Sequence, residues 1–382
     1  MKITCKRQDL SKGLATVSHA VSTRSTLPVL ANLLITTEGD HIRLSATNLE
    51  IGITCRVPAR VESEGSTTVP AKLLNDFVSA LEAGEVELAP LPGGQHGVRV
   101  RAGTSEANIR GMDPTEFPAI PNIEDGATSI TVDAAELRGL IAQTTFAAAA
   151  DDARPIFTGI LTRIRDEQLT CASADTFRLA VRSTALPGAK SEASDLLIPA
   201  RTLNELAKII PSEGVVEIFT TAARNQVVFR APGIEMVSHL IEGQFPNFEA
   251  IIPKTYSTRV VMPTDRLRAA AKVAALFAKN ESASNTVRVT VTPGQEGLTP
   301  GVVTLQATND EIGDATGTVD ATVDGPEVTI LFNIKYLNDV LAVITTPEVV
   351  LELSTAQLPG VVKPMGIDNY TYVIMPLYSR GK

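Results

Sequence analysis

The 382-residue sequence contains no tryptophan, and aromatic residues make up only 4% of it. Proteins that hold single-stranded nucleic acid usually stack the bases on aromatic rings, so this mode of binding is poorly supplied. The three cysteines, Cys5, Cys55 and Cys171, are widely spaced and form no CxxC pair. Neither a zinc site nor a disulfide framework is therefore indicated. The four histidines are isolated and show no metal-binding spacing along a helix.

Long apolar runs are also missing, because no stretch approaches the roughly 18 residues that span a bilayer. The N-terminus, MKITCKRQDL, lacks the apolar segment of a signal peptide. Widely spaced cysteines favour a reducing compartment. We therefore expect a cytoplasmic protein without a membrane partner.

Catalytic motifs are absent as well: there is no glycine-rich phosphate loop and no GxSxG. Asp151 and Asp152 are adjacent carboxylates, but neighbouring side chains point apart. The sequence thus predicts no enzyme, no catalytic residue, no metal and no cofactor.

A repeat is present instead. ATNLEIG (46–52) recurs as ATNDEIG (307–313), and SADTFRLAV (173–181) is a looser copy. A Leu-Asn pair recurs at 74–75, 203–204 and 337–338, and EFPAIP (116–121) is echoed by QFPNFEAIIP (244–253). Landmarks that keep one order and similar spacing indicate a true repeat. We predict three units, 1–124, 125–255 and 256–382.

Each unit alternates helical and strand patterns. In the first, Leu73, Leu74, Phe77, Val78 and Leu81 form one predicted helix face, and short alternating strands follow. The pattern is strand, helix and three strands, twice over, which predicts an α+β fold of two helices packed on antiparallel sheets. Three such units leave open sheet edges, which a head-to-tail partner would pair, closing a ring if the rotation permits. Helices are predicted at 6–20, 70–82, 133–146, 199–210, 263–280 and 333–344.

Charge is unevenly distributed along this pattern. The net charge is −9, which at face value argues against a nucleic acid partner. The predicted helices, however, carry twelve basic and eight acidic residues, and a basic residue recurs at one helix position as Lys72, Arg201 and Lys335. Either these are ordinary solvated helix faces, or the helices line a positive surface. Scattered Lys and Arg suit sequence-independent phosphate contact.

Several segments, STLPVLANLL (25–34), SADTFRLAV, EGQFPNFEAIIP (242–253), FNIKYLNDVL (332–341) and the closing YTYVIMPL (370–377), resemble the bacterial DNA polymerase III beta subunit family, the replicative sliding clamps. The resemblance covers the whole chain. It implies a homodimeric ring of six domains around double-stranded DNA, with helices inside. It also implies a clamp loader, the polymerase III alpha subunit and other clamp-binding-motif proteins as partners, and no chemistry of its own.

The resemblance further implies a partner-peptide pocket between the second and third domains. An apolar trough there would take leucine or phenylalanine side chains of an extended peptide. The matching residues are Arg154, Phe157, Thr176, Phe177, Arg178, Leu179, Pro246, Ile251, Asn333, Tyr336, Val373, Met375, Pro376 and Leu377. Thr176-Phe177 replaces the family's usual Gly-His, and Ser284 stands where the family has an aromatic residue, so we expect a differently shaped trough.

For DNA, the resemblance implies that Arg24, Lys72 and Arg201 face the duplex, and Lys335 joins them by its recurrence. For the dimer, it implies that Ala107 and Ile109 of one copy meet Leu276 and Phe277 of the next. Two alternatives stay open: a β-rich repeat scaffold that binds partner peptides without DNA, and a hydrolase using Asp151 or Asp152.

Overall fold

The computed structural model describes residues 1–22, 26–121, 129–151, 153–187, 193–221, 225–278, 285–295 and 299–378. The chain divides into two compact units, Met1–Leu137 with Arg201–Leu240, and Arg138–Ala200 with Ile241–Lys382. The central repeat contributes to both units. The predicted boundaries after residues 124 and 255 therefore stay a prediction.

Six α-helices lie within the described residues, at the six predicted places. Their ends differ from the prediction by one to three residues. They are α1 (Arg7–Ser18), α2 (Ala71–Ala80), α3 (Ala134–Thr144), α4 (Ala200–Ile209), α5 (Thr264–Phe277) and α6 (Ile334–Val343).

The described strands follow the same order in each repeat. The first repeat has β1 (Lys2–Lys6), β2 (Asn32–Glu38), β3 (His41–Thr47), β4 (Ile51–Pro58), β5 (Arg60–Ser63), β6 (Ser66–Pro70), β7 (Glu85–Pro90), β8 (Gly97–Ala102) and β9 (Ser105–Arg110). The second has β10 (Ser129–Asp133), β11 (Gly159–Arg165), β12 (Gln168–Ala174), β13 (Arg178–Ala185), β14 (Ser194–Pro199), β15 (Val215–Thr220), β16 (Gln226–Ala231) and β17 (Ile234–His239). The third has β18 (Thr258–Pro263), β19 (Thr286–Thr292), β20 (Gly301–Asn309), β21 (Gly313–Asp324), β22 (Val328–Asn333), β23 (Glu348–Leu353), β24 (Gly360–Pro364) and β25 (Tyr370–Ile374).

All described ladders between these strands are antiparallel. The first unit holds a five-stranded sheet, β5-β1-β7-β8-β9, and an eight-stranded sheet, β10-β15-β16-β17-β4-β3-β2-β6. The second unit holds one twelve-stranded sheet, β14-β11-β12-β13-β25-β24-β23-β18-β21-β20-β19-β22. Two helices and eight or nine strands per repeat confirm the predicted α+β pattern.

Sheets of different repeats join by the same rule. Strand β4 of the first repeat pairs with β17, the last strand of the second. Strand β13 of the second repeat pairs with β25, the last strand of the third. The corresponding strand of the third repeat, β21, pairs with β20 along 313–321 and with β18 only from Thr322. Strand β9 lies at the end of its sheet. The edge of β9 and the edge of β21 before Thr322 are therefore two of the strand edges that lack a ladder partner among the described residues.

The helices pack on these sheets through apolar residues three and four positions apart. Helix α1 buries Leu10, Leu14 and Val17, as its spacing requires. One predicted contact is wrong, because Leu73 of α2 is 54% exposed. The buried stripe of α2 runs through Leu74 and other residues at helical spacing, and each residue turns the helix by about 100°, so Leu73 points away from it.

The repeated seven letters form the same turn three times. Asn48, Asp175 and Asn309 each accept a hydrogen bond through a side-chain oxygen from the backbone N–H two residues further on, at 2.9–3.1 Å. This Asx turn links two strands of a hairpin. Leu49 and Thr176, the next residues in the first two copies, have positive φ values of 73° and 84°. The echo therefore has a local cause: a side-chain acceptor shapes the turn.

The apolar segment PVLANLLITT (28–37), which the sequence pattern predicts to be one strand, is a strand only in its second part. Its first part, Pro28–Ala31, is a 3₁₀ helix, and the strand begins at Asn32. Proline fixes φ and has no N–H to donate to a ladder, so it favours a turn here.

Candidate binding sites

The floor of the predicted pocket is an apolar patch on β13 and β25. Leu179 and Val373 are opposite each other in the ladder and are both buried. The partly buried rings of Phe157 and Phe245 pack against the same cluster and meet edge to face, with centroids 6.0 Å apart. Ile251 follows the 3₁₀ helix Phe248–Ala250 and is 43% exposed. The partly exposed Phe157, Phe245 and Ile251 can thus contact apolar side chains of a peptide, while Leu179 and Val373 form the buried base against which the rings pack.

The rim of the pocket is the Asx turn of the second repeat. Phe177 is 53% exposed, and its ring stacks on Tyr336 with centroids 6.4 Å apart. The Thr176 hydroxyl accepts a hydrogen bond from Arg154 Nη2 at 2.8 Å, and Met375 N donates to the Phe177 carbonyl at 2.8 Å. These contacts hold the exposed ring beside the floor. We call Phe157, Phe177, Leu179, Tyr336 and Val373 the groove.

Arg178 anchors this rim from below. Its side chain is buried, and it donates to Asp175 Oδ2 at 2.9 Å and to Asp339 Oδ2 at 2.6 Å. Its guanidinium also lies 4.4 Å from the centroid of the Tyr336 ring. Burial acts to lower the pKa of Arg178, but Tyr372 and the two carboxylates raise it above its ordinary value. The resemblance implied only that Arg178 belongs to the pocket; in the structure its guanidinium is held by two carboxylates and packs over the Tyr336 ring.

The remaining predicted pocket residues differ in their surroundings. Asn333 caps α6, since its Oδ1 accepts from Lys335 N at 2.9 Å. Leu377 N donates to the Leu331 carbonyl at 2.8 Å, which ties the C-terminal segment to β22. Pro376 is buried and Pro246 is exposed. Ser284 lies outside the described residues.

The recurring basic residues occupy equivalent helix positions. Lys72 and Lys335 each contact the acid four residues on, Asp76 at 2.7 Å and Asp339 at 3.1 Å. Arg201 instead contacts Glu50 at 2.5 Å. The side chains of all three basic residues are well exposed. Their positive charge is accessible, as phosphate contact requires. The fourth predicted residue, Arg24, lies outside the described residues.

The predicted dimer residues lie at the free strand edges. Ala107 and Ile109 are on β9, at the end of its sheet. Leu276 on α5 is 65% exposed, and Phe277 packs partly against the core of the second unit. Helix α5 packs on β21, whose 313–321 part has a ladder partner on one side only among the described residues, and an exposed leucine on such an element is typical of an association surface.

Reactive groups are few in the described part of the chain. No group of three or more His, Cys, Asp or Glu there is placed to hold a metal. Burial raises the pKa of the thiols of Cys5 and Cys171 to about 12. Asp151 accepts a hydrogen bond from Ala153 N, and Asp152 lies outside the described residues. None of the described helices has the length and apolarity to cross a bilayer.

Several residues that shape the groove were not predicted from the sequence. Asp175 and Asp339 hold Arg178, and Phe245 completes the floor. Asp175 has a sequence signal, because it occupies the position of Asn48 and Asn309 in the repeat. Asp339 recurs as the acid after the Leu-Asn pair, like Asp76, but its contact with Arg178, 161 residues away, has no sequence signal.

Comparison with known proteins gives a consistent result along the chain. Residues 1–121, 131–247 and 249–378 match the N-terminal, central and C-terminal domains of the DNA polymerase III beta subunit. The chain is 32% identical over 396 residues to the beta sliding clamp of Synechocystis sp., covering 99% of both chains. It is likewise 32% identical over 388 residues to that of Staphylococcus aureus strain N315, covering 99% of both.

Solved structures agree with these relatives. The fold is similar to that of the DNA polymerase sliding clamp from Bacillus subtilis, with a TM-score of 0.92 and 27% identity, covering 99% of both chains. It is also similar to a Pseudomonas aeruginosa sliding clamp bound to griselimycin, with a TM-score of 0.90 and 28% identity, covering 99% of this chain and 100% of the other.

Proposed function

We propose that the groove binds peptide segments of the polymerase and of other partners, because this chain belongs to the DNA polymerase III beta subunit family of bacterial sliding clamps. The chain is a non-catalytic sliding clamp for processive DNA synthesis. The observation that supports the groove is the exposed Phe177–Tyr336 stack beside the apolar floor at Leu179 and Val373. An extended peptide can lay apolar side chains on such a floor.

The test of the groove is a titration with a labelled peptide that carries a leucine and a phenylalanine. Phe177→Ala should weaken binding about tenfold, as expected for an aromatic residue at the centre of an interface. Leu49→Ala is a matched control, because Leu49 is an exposed apolar residue on the equivalent turn of the first repeat. Equal affinity of the Phe177→Ala protein and the unmodified protein would overturn the assignment.

Two copies are proposed to close a ring by pairing β21 of one with β9 of the other. The two internal junctions supply the register. Met236 of β17 is opposite Ile53 of β4, and Tyr372 of β25 is opposite Ala180 of β13. All four side chains belong to the buried, helix-covered faces of their sheets.

The equivalent pair at the third junction follows from the hairpins. Ala46 is opposite Ile53 in the β3–β4 hairpin, and Ala307 is opposite Ala315 in the β20–β21 hairpin. Ala315 therefore takes the position of Ile53, although one more residue separates Ala307 from Ala315 than separates Ala46 from Ile53. On β9, Ala107 takes the position of Met236, because the hairpins β8–β9 and β16–β17 have turns of equal length. We therefore place Ala107 opposite Ala315 of the second copy, on the face that α5 covers with Leu276 and Phe277.

The duplex is proposed to pass through this ring and to be faced by Arg24 and by three helix residues, Lys72, Arg201 and Lys335. Retention is then topological, so an acidic protein needs only weak phosphate contacts. The protein should remain on closed circular DNA and leave after linearisation. Equal loss from circles and linear pieces would favour the alternative, a peptide-binding scaffold without DNA. The cytoplasm, where replication proteins meet DNA, is the proposed location, and 1–124, 125–255 and 256–382 are the proposed domains.

A further inference from the structure

One carboxylate oxygen serves two cations that belong to different surfaces. Asp339 Oδ2 accepts from Arg178 Nη1 at 2.6 Å and from Lys335 Nζ at 3.1 Å. Arg178 is buried beneath the groove, whereas the Lys335 side chain is 64% exposed on α6. Asp339 therefore connects the proposed peptide site with a proposed DNA contact.

The groove depends on the Arg178 side of this arrangement. The guanidinium lies 4.4 Å from the centroid of the Tyr336 ring, and Tyr336 in turn carries the stacked ring of Phe177. A second carboxylate, Asp175, lies on the same turn as Phe177 and holds Nε of Arg178 at 2.9 Å. A change in the electrostatic attraction between Asp339 and Arg178 therefore alters the positions of Tyr336 and Phe177, the two aromatic residues of the rim.

The other side of the arrangement can be altered by a ligand. An exposed ammonium in an i,i+4 ion pair gains little from its partner, so a phosphate competes for it readily. When Lys335 turns to a phosphate, Asp339 no longer divides its charge between two cations. Its attraction for Arg178 then increases, because the competing positive charge has left.

From this geometry we infer that Asp339 is a positioning residue that couples the two surfaces, so that phosphate contact at Lys335 tightens peptide binding in the groove. A fixed Arg178 holds Tyr336 and Phe177 in the arrangement that receives the peptide, which lowers the ordering cost of binding. The coupling is reciprocal by thermodynamic necessity. The effect expected is about fivefold, at the lower end of measured couplings between sites.

The first repeat provides an internal control. Lys72 and Asp76 occupy the positions of Lys335 and Asp339 and form the same i,i+4 ion pair, at 2.7 Å. Among the described contacts, Asp76 has no second cation. Removal of the Lys72 charge should therefore weaken DNA contact without reaching the groove.

The experiment rests on the proposed function and uses the full-length protein with the labelled leucine–phenylalanine peptide and a short DNA duplex at low salt. Lys335→Met should tighten peptide binding about three- to fivefold without DNA, and added duplex should then have little further effect. Lys72→Met should leave peptide affinity as in the unmodified protein, where duplex tightens it about fivefold. Asp339→Asn should weaken peptide binding and abolish the effect of Lys335→Met.

The outcomes separate the inference from the function on which it rests. If the unmodified protein does not bind the peptide, the proposed function fails. If it binds the peptide but Lys335→Met and Lys72→Met have equal affinities, the coupling through Asp339 is refuted. If Asp339→Asn does not fold, the comparison of the two lysine variants decides alone.

Discussion

The register of the two free strand edges predicts which residues meet when two copies join. With Ala107 opposite Ala315, Glu106 of β9 is opposite Thr316 of β21 in the second copy. Both residues are exposed and lie on the face away from the helices. We expect Glu106→Cys with Thr316→Cys to form a disulfide between copies under mild oxidation.

The expected geometry leaves little room for other pairs. Directly opposed residues of antiparallel strands have Cα atoms about 4.5–5.5 Å apart, and a disulfide requires about 4.4–6.8 Å. Glu106→Cys with Ala315→Cys is the matched control. A shift of one residue moves the strand by about 3.3 Å and turns the side chain to the opposite face, so this pair should not link. Cys5, Cys55 and Cys171 are buried and should not contribute.

The assay is a non-reducing gel run under denaturing conditions, with and without closed circular DNA. The linked protein should migrate as a covalent dimer, and material loaded on circular DNA should stay with it after denaturation until the DNA is cut. Linking in the control pair alone would show that the register differs by one residue. No linking in either pair at high protein concentration would refute the proposed strand pairing.

Other predictions concern stability, salt and pH. Arg178→Met should lower the free energy of unfolding by about 3 kcal/mol, since it leaves the largely buried carboxylate of Asp175 without its cation, and urea midpoints will measure this. Leu49→Gly should raise the free energy of unfolding by about 0.5–1 kcal/mol. Positive φ costs most residues about 1–2 kcal/mol, and the greater conformational entropy that glycine loses on folding offsets part of the relief. An unchanged urea midpoint would contradict this. Lys72→Gln should reduce the slope of log affinity against log salt for duplex DNA by about one, whereas an unchanged slope would argue against a phosphate contact. Burial raises the pKa of Cys171 from 9.0 to about 12, so this group should cost stability as pH rises from 9 towards 12, and its thiol should resist thiol reagents at pH 8 until the protein unfolds.

Much of the fold was predictable because its signals are local and repeated. The helices begin where apolar spacing of three and four begins, and the strands follow as alternating segments. The start of β2 was not predictable from alternation, because Pro28 imposes a turn on an apolar segment. Leu73 was assigned to the buried face because it fits the apolar helical spacing of the segment, whereas the buried stripe runs through Leu74 and Val78.

The resemblance supplied the members of the proposed groove but not the contacts that they make. It placed Arg178, Tyr336 and Asn333 in the pocket. Only the structure shows that Arg178 is held by Asp175 and Asp339 and packs over the Tyr336 ring, and that Asn333 caps α6. These roles depend on partners far along the chain, as with Asp339, and sequence spacing carries no information about such contacts.

The Asx turn explains how three similar modules can carry unlike tips. The hydrogen bond that the backbone N–H donates to the Asx side chain sets the shape of the bend, so the side chains at the apex contribute little to that shape. One apex carries Leu49 and Glu50, and another carries Thr176 and Phe177. Novel recognition can arise at such an apex by changing one or two letters, while the scaffold that presents it stays the same.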